Sequence, residues 1–319
     1  KGALATQSLR AYLGDDVFFP ACVGYLEDYA FQSISSYDME ASFTQNTGVD
    51  MNGFFNNWIY NGGTPQYSID SFSVAQSGGN WDVTVHVKQK RHGPAFTGDG
   101  NRIEFSVMGH DWSLHTDVVE FDGHTGSATI NVPVEPAEVF LDLEEKYMDA
   151  TLDNYMVIAE TGEYEFPGTY FMLEATEVSD SVFVQVTHNY APADTLATPI
   201  PGFRLSDYRY WTIKSVDPQN ISGKGRFFYS KGGLDGSLIL SQSDSVVIVW
   251  RENAGMEWQA IDFTVVGQWS IGYIYVDDMP MGDYALAVWE ISTSTEEPGN
   301  EKGKVMEVFP NPSSGKFNF

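Results

Sequence analysis

The period of the apolar positions changes once along the chain, near residue 66. Before it, apolar residues recur every three to four positions. Leu4, Leu9, Tyr12 and Leu13 fall on one helical face, and Gly14 stands where a C-terminal cap belongs. Asp15 and Asp16 follow, acids that suit a helix start, and Phe18, Cys22, Tyr25, Leu26 and Tyr29 continue at helical spacing. Pro20 is expected in the first turn of that helix, where its missing N–H costs nothing. Ser35-Ser36-Tyr37-Asp38 has the form of a capping box with Asp in the usual place of Glu; it opens a short helix through Met39 and Phe43 that Gly48 ends. Asp50 is placed to cap a fourth helix carrying Phe54, Phe55, Trp58 and Ile59, and Asn61-Gly62-Gly63-Thr64-Pro65 breaks it.

From Tyr67 the period is two. Ile69, Phe72 and Val74 lead to a turn at Gly78-Gly79-Asn80. Trp81, Val83, Val85 and Val87 then alternate with Asp82, Thr84, His86 and Lys88, the pattern of a half-buried strand. Ile103 to Val107, Val118 to Phe121 and Ala128 to Val132 repeat it. Further strands are expected at Met156–Ala159, Tyr170–Leu173, Val182–Thr187, Tyr210–Ile213, Arg226–Tyr229, Ser245–Trp250, Gly272–Val276 and Tyr284–Val288, with an irregular excursion over Asn189–Pro201. Residues 291–305 are nearly devoid of apolar side chains and read as a linker; a new strand pattern starts at Val308. The predicted architecture is an α+β multidomain chain. It has an N-terminal helical segment over 1–65, antiparallel β-sandwiches over 66–154 and 155–290, the linker, and a short segment over 306–319.

Charge refines this. The 319 residues carry 17 Lys+Arg against 44 Asp+Glu, a net −27, distributed as −5, −10, −11 and −1 over 1–65, 66–154, 155–290 and 291–319. The acidity therefore belongs to the folded surfaces rather than to a tail. It argues against nucleic acid and anionic membrane surfaces as partners, because both would repel it. No run of about 18 apolar residues exists, so no membrane span is expected. Cys22 is the one cysteine, which excludes an intrachain disulfide and a Cys-rich zinc site. Lys1 to Leu13 does not read as a signal peptide, because Gln7, Ser8 and Arg10 interrupt it, and the chain reads as a fragment.

Local motifs point to little chemistry. Asp99-Gly100-Asn101 resembles the start of a calcium loop but lacks its twelve-residue spacing and closing Glu, which favours a β-turn. His86, His92, His110, His115 and His124 share one expected sandwich without helical metal spacing, and no His-Glu-x-x-His occurs. Cys22 reads as a small apolar core residue, and Lys231-Gly232-Gly233 lacks the following helix of a phosphate cradle. Trp112, Trp211, Trp250, Trp258 and Trp269 are available to stack sugars, although Trp250, in Val246-Val247-Ile248-Val249-Trp250, reads as core. No residue is assigned a catalytic, cofactor-binding or metal-binding role.

Two segments resemble known families. Lys1-Gly2-Ala3, Leu9, Leu13-Gly14, Phe18, Tyr25, Phe31 to Asp38, Gly48, Phe55, Trp58-Ile59-Tyr60, Gly63 and Pro65 occur in an order similar to the C-terminal helical part of the catalytic domain in gluzincin metallopeptidases of the aminopeptidase N class. The next sandwich, with Gln89 in Val85-His86-Val87-Lys88-Gln89, resembles the β domain that follows in those enzymes. The resemblance implies a zinc-dependent peptidase acting on peptides, in which a metal-bound water attacks the carbonyl with a Glu as base. The family's zinc ligands, and a transition-state Tyr two residues before its Lys-Gly pair, would all precede Lys1. The fragment itself would hold no cofactor and be inactive. Phe309-Pro310-Asn311-Pro312, Gly315 and Phe317 resemble the opening of a type IX secretion sorting domain. That implies the type IX secretion machinery as a partner and a secreted or cell-surface location in a Gram-negative bacterium. The rival expectation is a non-catalytic adhesion or carbohydrate-binding module built from the two sandwiches.

Overall fold

The computed structural model describes residues 2–94 and 96–290. The expected linker at 291–305 and the segment at 306–319 lie outside them. The chain is an α+β multidomain protein that divides into two compact units, Lys1–Thr151 and Leu152–Phe319.

In the first unit, α1 (Gly2–Leu13) buries Leu9, Tyr12 and Leu13 and leaves Leu4 exposed. Gly14, at φ 76°, closes α1 and opens α2 (Asp15–Asp28): its N–H donates to Arg10 O at 2.8 Å, and its carbonyl accepts from Phe18 N at 2.9 Å. Pro20 lies in the second turn of α2, not the first. It deprives the Asp16 carbonyl of a donor, and burial of Phe18 and Ala21 on either side holds the helix through that gap. Leu26, expected on the buried face, points outward with Phe19 and Val23. The helix α3 (Ser36–Thr47) begins with a complete capping box: Ser35 N donates to Asp38 Oδ2 at 2.8 Å, and Asp38 N donates back to Ser35 Oγ at 3.4 Å. It ends at Gly48, left-handed at φ 72°. The short α4 (Asn52–Phe55) runs into a π-helical turn, Asn56–Tyr60, and buries Phe54, Phe55 and Trp58. Asp50 Oδ1 accepts from Asn52 N at 3.0 Å, just before α4.

Six strands follow: β1 (Thr64–Ser77), β2 (Asn80–His92), β3 (Asn101–Gly109), β4 (Leu114–Phe121), β5 (Thr125–Val132) and β6 (Pro136–Leu141). They form two antiparallel sheets, β1-β2-β5 and β4-β3-β6. The change of period near residue 66 does not separate two cores. Leu9, Tyr12, Phe54 and Trp58 from the helices pack in one cluster with Val83, Val85, Phe105 and Val119 from both sheets. A buried polar seam completes it. Asn101 Oδ1 accepts from Tyr67 Oη at 3.0 Å, from Asn57 Nδ2 at 3.3 Å and from Gln89 Nε2, while Arg91 Nη2 donates to Asn57 O at 2.8 Å.

The second unit is built from twelve strands: β7 (Thr151–Ile158), β8 (Gly162–Phe166), β9 (Phe171–Val178), β10 (Val182–Asn189), β11 (Phe203–Leu205), β12 (Tyr210–Val216), β13 (Ile221–Ser230), β14 (Asp244–Arg251), β15 (Gln259–Ala260), β16 (Thr264–Gln268), β17 (Ile271–Val276) and β18 (Gly282–Glu290). One sheet runs β15-β14-β18-β12-β10-β7 with β11 on β18; the other runs β16-β17-β13-β9-β8. Their inward positions, among them Phe171, Phe227 and Ile274 from one sheet and Val184, Trp211 and Leu286 from the other, form a single core. No helix among the described residues is long and apolar enough to cross a membrane.

Candidate functional site

The residues singled out in the sequence do not assemble into a reactive centre. Among the described residues, no group of three or more His, Cys, Asp or Glu side chains converges on a point that could hold a metal. His86, His110 and His124 are exposed, and His92 and His115 are half-buried. His124 Nε2 meets Thr97 Oγ1 at 3.0 Å. The Asp99-Gly100-Asn101 turn is a clamp between loops. Gly123 N donates to Asp99 Oδ1 at 3.0 Å, and Gly100 N donates to Asp122 Oδ1 at 2.7 Å, so each carboxylate caps the other turn. Cys22 is half-buried against the first unit's core, and burial pushes its thiol pKa up, away from a reactive thiolate. After Lys231-Gly232-Gly233 the backbone continues in turns rather than a helix. Trp211 and Trp258 are buried, Trp250 packs against the second unit's core, and Trp112 and Trp269 are exposed.

Two buried arginines with buried carboxylate partners lie in the second unit, and motif reading passed over them. Arg209 and Asp235 form a buried bidentate pair, with Nε to Oδ1 and Nη2 to Oδ2 both at 2.8 Å. The same guanidinium lies 4.6 Å from the Trp211 ring centre and 3.4 Å, through Nη1, from His188 Nε2. His188 thus accepts from Arg209 through Nε2, which leaves the ring proton on Nδ1. Burial, and then the Arg209 charge, push the His188 pKa down to about 2, so the ring is neutral. A second buried cation, Arg251, lies 2.9 Å from Asp283 and 2.8 Å from Asp194 and covers Trp258 at 4.2 Å. Asp194 belongs to the irregular excursion after β10, so the Arg251 charge pins that loop to the sheet.

The pinned excursion walls a cleft of about 430 Å³ lined by Pro192, Leu196, Pro199, Phe203 and Leu205, with Asp207 and Ser237 at its polar side. A cleft of this size and composition can hold an apolar group. Ser237 Oγ donates to Asp207 Oδ1 at 2.6 Å, no histidine lines the cleft, and His188 is turned toward Arg209 instead.

No protein-family model matches the chain, and no curated protein matches it.

Proposed function

We propose that this chain is the C-terminal portion of a secreted, zinc-dependent aminopeptidase-like protein, and that its first unit is scaffold for a catalytic domain whose chemistry lies upstream. The reading is carried by the ordered match of residues 1–67 to the helical end of that catalytic domain. The matched residues hold definite structural posts. Gly48 is a left-handed helix end, Gly14 joins two helices at positive φ, Ser35 and Asp38 close the capping box, and Phe55 and Trp58 are core. The row Phe19, Val23 and Leu26 on α2, with Phe31 beyond it, is exposed apolar surface of the kind a helix presents when it belongs to a larger domain.

The Phe309 to Phe317 run supports export through the type IX machinery, to the medium or the surface of a Gram-negative cell. The substrate class is a peptide with a free N-terminus.

The test is the parent gene and its product. The expected sequence holds His-Glu-x-x-His upstream and a tyrosine two positions before Lys1. The longer protein should release N-terminal residues from peptides in a chelator-sensitive manner, while residues 1–319 alone show no such activity. A parent without the zinc motif, or one that carries it but binds no zinc and cleaves no peptide, overturns the reading.

A further inference from the structure

The two sheets of the second unit end in four strands, and these edges are finished differently. The strand β15 is two residues long. The strand β8 carries the exposed acids Glu163 and Glu165, and β7 carries Asp153. Shortness and charge both keep the free backbone of an edge from pairing with another chain. The edge strand β16 has neither guard against pairing along its length. All five of its residues, Thr264–Gln268, are exposed, and the run from Phe263 to Val276, which takes in β17, holds no charged residue. In a chain of net −27 this edge is an uncharged strip.

The strip is apolar on both faces. Register pairs Val265 with Ile274 and Val266 with Tyr273. Ile274 is buried in the core, so Val265 takes the inward side of the sheet and Val266 the outward side. Both are nevertheless open, Val265 at 42% and Val266 at 53%, so β16 overhangs the core. On the outer face Val266 ends an aromatic row. Tyr273 beside it is paired with Phe228, and Phe228 N donates to Tyr170 O at 3.1 Å. A further strand on β16 would cover both valines and take up the outer backbone edge.

The strand that fits is β16 itself. Antiparallel pairing about a two-fold axis at Val266 sets Val266 against Val266, Thr264 against Gln268 and Val265 against Gly267. On the outer face two valines then meet between two Thr–Gln pairs. On the inner face each Val265 lies beside a glycine, which leaves it room. No like charges face each other along the strand. The same count places Asp262, which is exposed, opposite Ser270 of the other copy. Ser270 O accepts from Lys231 N at 2.8 Å, and the Lys231 ammonium lies 4.9 Å from the Trp269 ring centre. A cation at one end of the strip therefore meets an acid from the other copy, twice by symmetry. A charged peptide, by contrast, finds no ion-pair partner along the strip.

We propose that β16 pairs with β16 of a second copy of this chain, antiparallel about Val266, joining the two β16-β17-β13-β9-β8 sheets into one. This interface does not rest on the peptidase reading. Five paired residues span about 17 Å, so the contact covers less than the ~800 Å² per partner of a standard interface. The dimer therefore forms reversibly, half complete at roughly 10–100 μM.

The experiment is sedimentation velocity of the full chain from ~1 to ~300 μM, in ~150 mM salt to screen the net charge. The mass should rise from 35.5 kDa toward twice that value. Val266→Lys sets two ammonium groups across the axis and should weaken association at least tenfold, with circular dichroism unchanged. Val157→Lys on β7 and Leu26→Lys on α2, both at exposed positions, should associate as the wild type does. In a Cys22→Ser background, Val266→Cys should form an intermolecular disulfide on mild oxidation. Thr264→Cys should not, because its counterpart lies four residues, ~14 Å, along the strand. A chain that stays monomeric at ~300 μM overturns the proposal and leaves the edge to a strand from another protein. So does a dimer that survives Val266→Lys, or one lost with Leu26→Lys instead, which would place the contact on α2. Failure of Val266→Cys to cross-link, or equal cross-linking by Thr264→Cys, overturns it as well.

Discussion

Arg209 and Asp235 meet in two parallel hydrogen bonds of 2.8 Å, with the arginine side chain 1% exposed and the aspartate fully buried. Asp235 also accepts from Ser230 N at 2.7 Å, and Arg209 Nη2 donates to Phe228 O at 2.7 Å, so the pair ties β13 to the loop before β12. A buried pair is strongly coupled: removing one partner strands the other charge. Asp235→Ala should destabilise the second unit by ~3–5 kcal/mol in chemical denaturation, and the double variant Arg209→Met/Asp235→Leu should recover a large part of that loss. A single variant costing under ~1 kcal/mol would show that water reaches the guanidinium.

His188 gives the second unit an acid-sensitive stability. Its folded pKa is depressed to about 2 by burial and by Arg209, far below the ordinary histidine value. Between about pH 6.5 and 2 the unfolded chain takes up a proton there that the folded chain does not, so stability must fall as pH falls. The wild-type protein should lose ~1.4 kcal/mol per pH unit more than His188→Gln as pH drops from ~6 to ~4. Parallel pH profiles for the two proteins would contradict a buried neutral ring.

Asp142 works in the opposite direction in the first unit. It is buried, at φ 40°, and accepts from Lys146 N at 2.9 Å and Tyr147 N at 2.8 Å. Burial, with smaller contributions from Asp149 and Glu104, outweighs those two bonds and pushes its pKa up to about 7. The folded state then holds a proton that the unfolded state releases above about pH 4, so this group's contribution is present below pH 4 and is lost as pH rises through 7. Asp142→Asn keeps the left-handed backbone acceptable and removes the titration. Between pH 4 and 7 the wild-type should lose stability relative to this variant, and a gain would refute the assignment.

Local signals were readable in the chain; relations between distant strands were not. The Ser35–Asp38 capping box and the glycine helix ends depend on residues a few positions apart, so spacing alone finds them. Leu26 satisfied the helical period of α2 and yet lies outward, because period identifies a face without saying what covers it. The strand β16 escaped notice because all five residues are exposed and no alternation marks it. The aromatic row is a sharper case. Tyr170, Phe228 and Tyr273 lie far apart in sequence and meet only through the pairings around β13. Attention to tryptophan led elsewhere, since Trp211 and Trp258 are buried. His188 and Asp235 carried no motif; their environment comes from burial, which the linear pattern does not give residue by residue.

Two glycines that look alike in sequence should respond differently to the same substitution. Gly14 and Gly63 both have positive φ, at 76° and 81°. A methyl group on Gly14 meets nothing within 4 Å, whereas one on Gly63 would lie 2.3 Å from the His92 carbonyl oxygen. That carbonyl belongs to β2, and Arg91 beside it is committed, with Nε donating to Gly62 O at 2.8 Å, so the backbone has no free direction in which to yield. Gly14, at φ 76° and ψ 155°, lies in a backbone region that is essentially glycine's alone, so Gly14→Ala should cost only the backbone penalty, ~1–3 kcal/mol. Gly63→Ala should add a steric term and exceed ~3 kcal/mol, with the first unit opening at lower denaturant than wild-type. Equal costs at the two positions would mean that the Gly63 turn can shift away from β2, and that the close approach of the two backbones is not what glycine provides there.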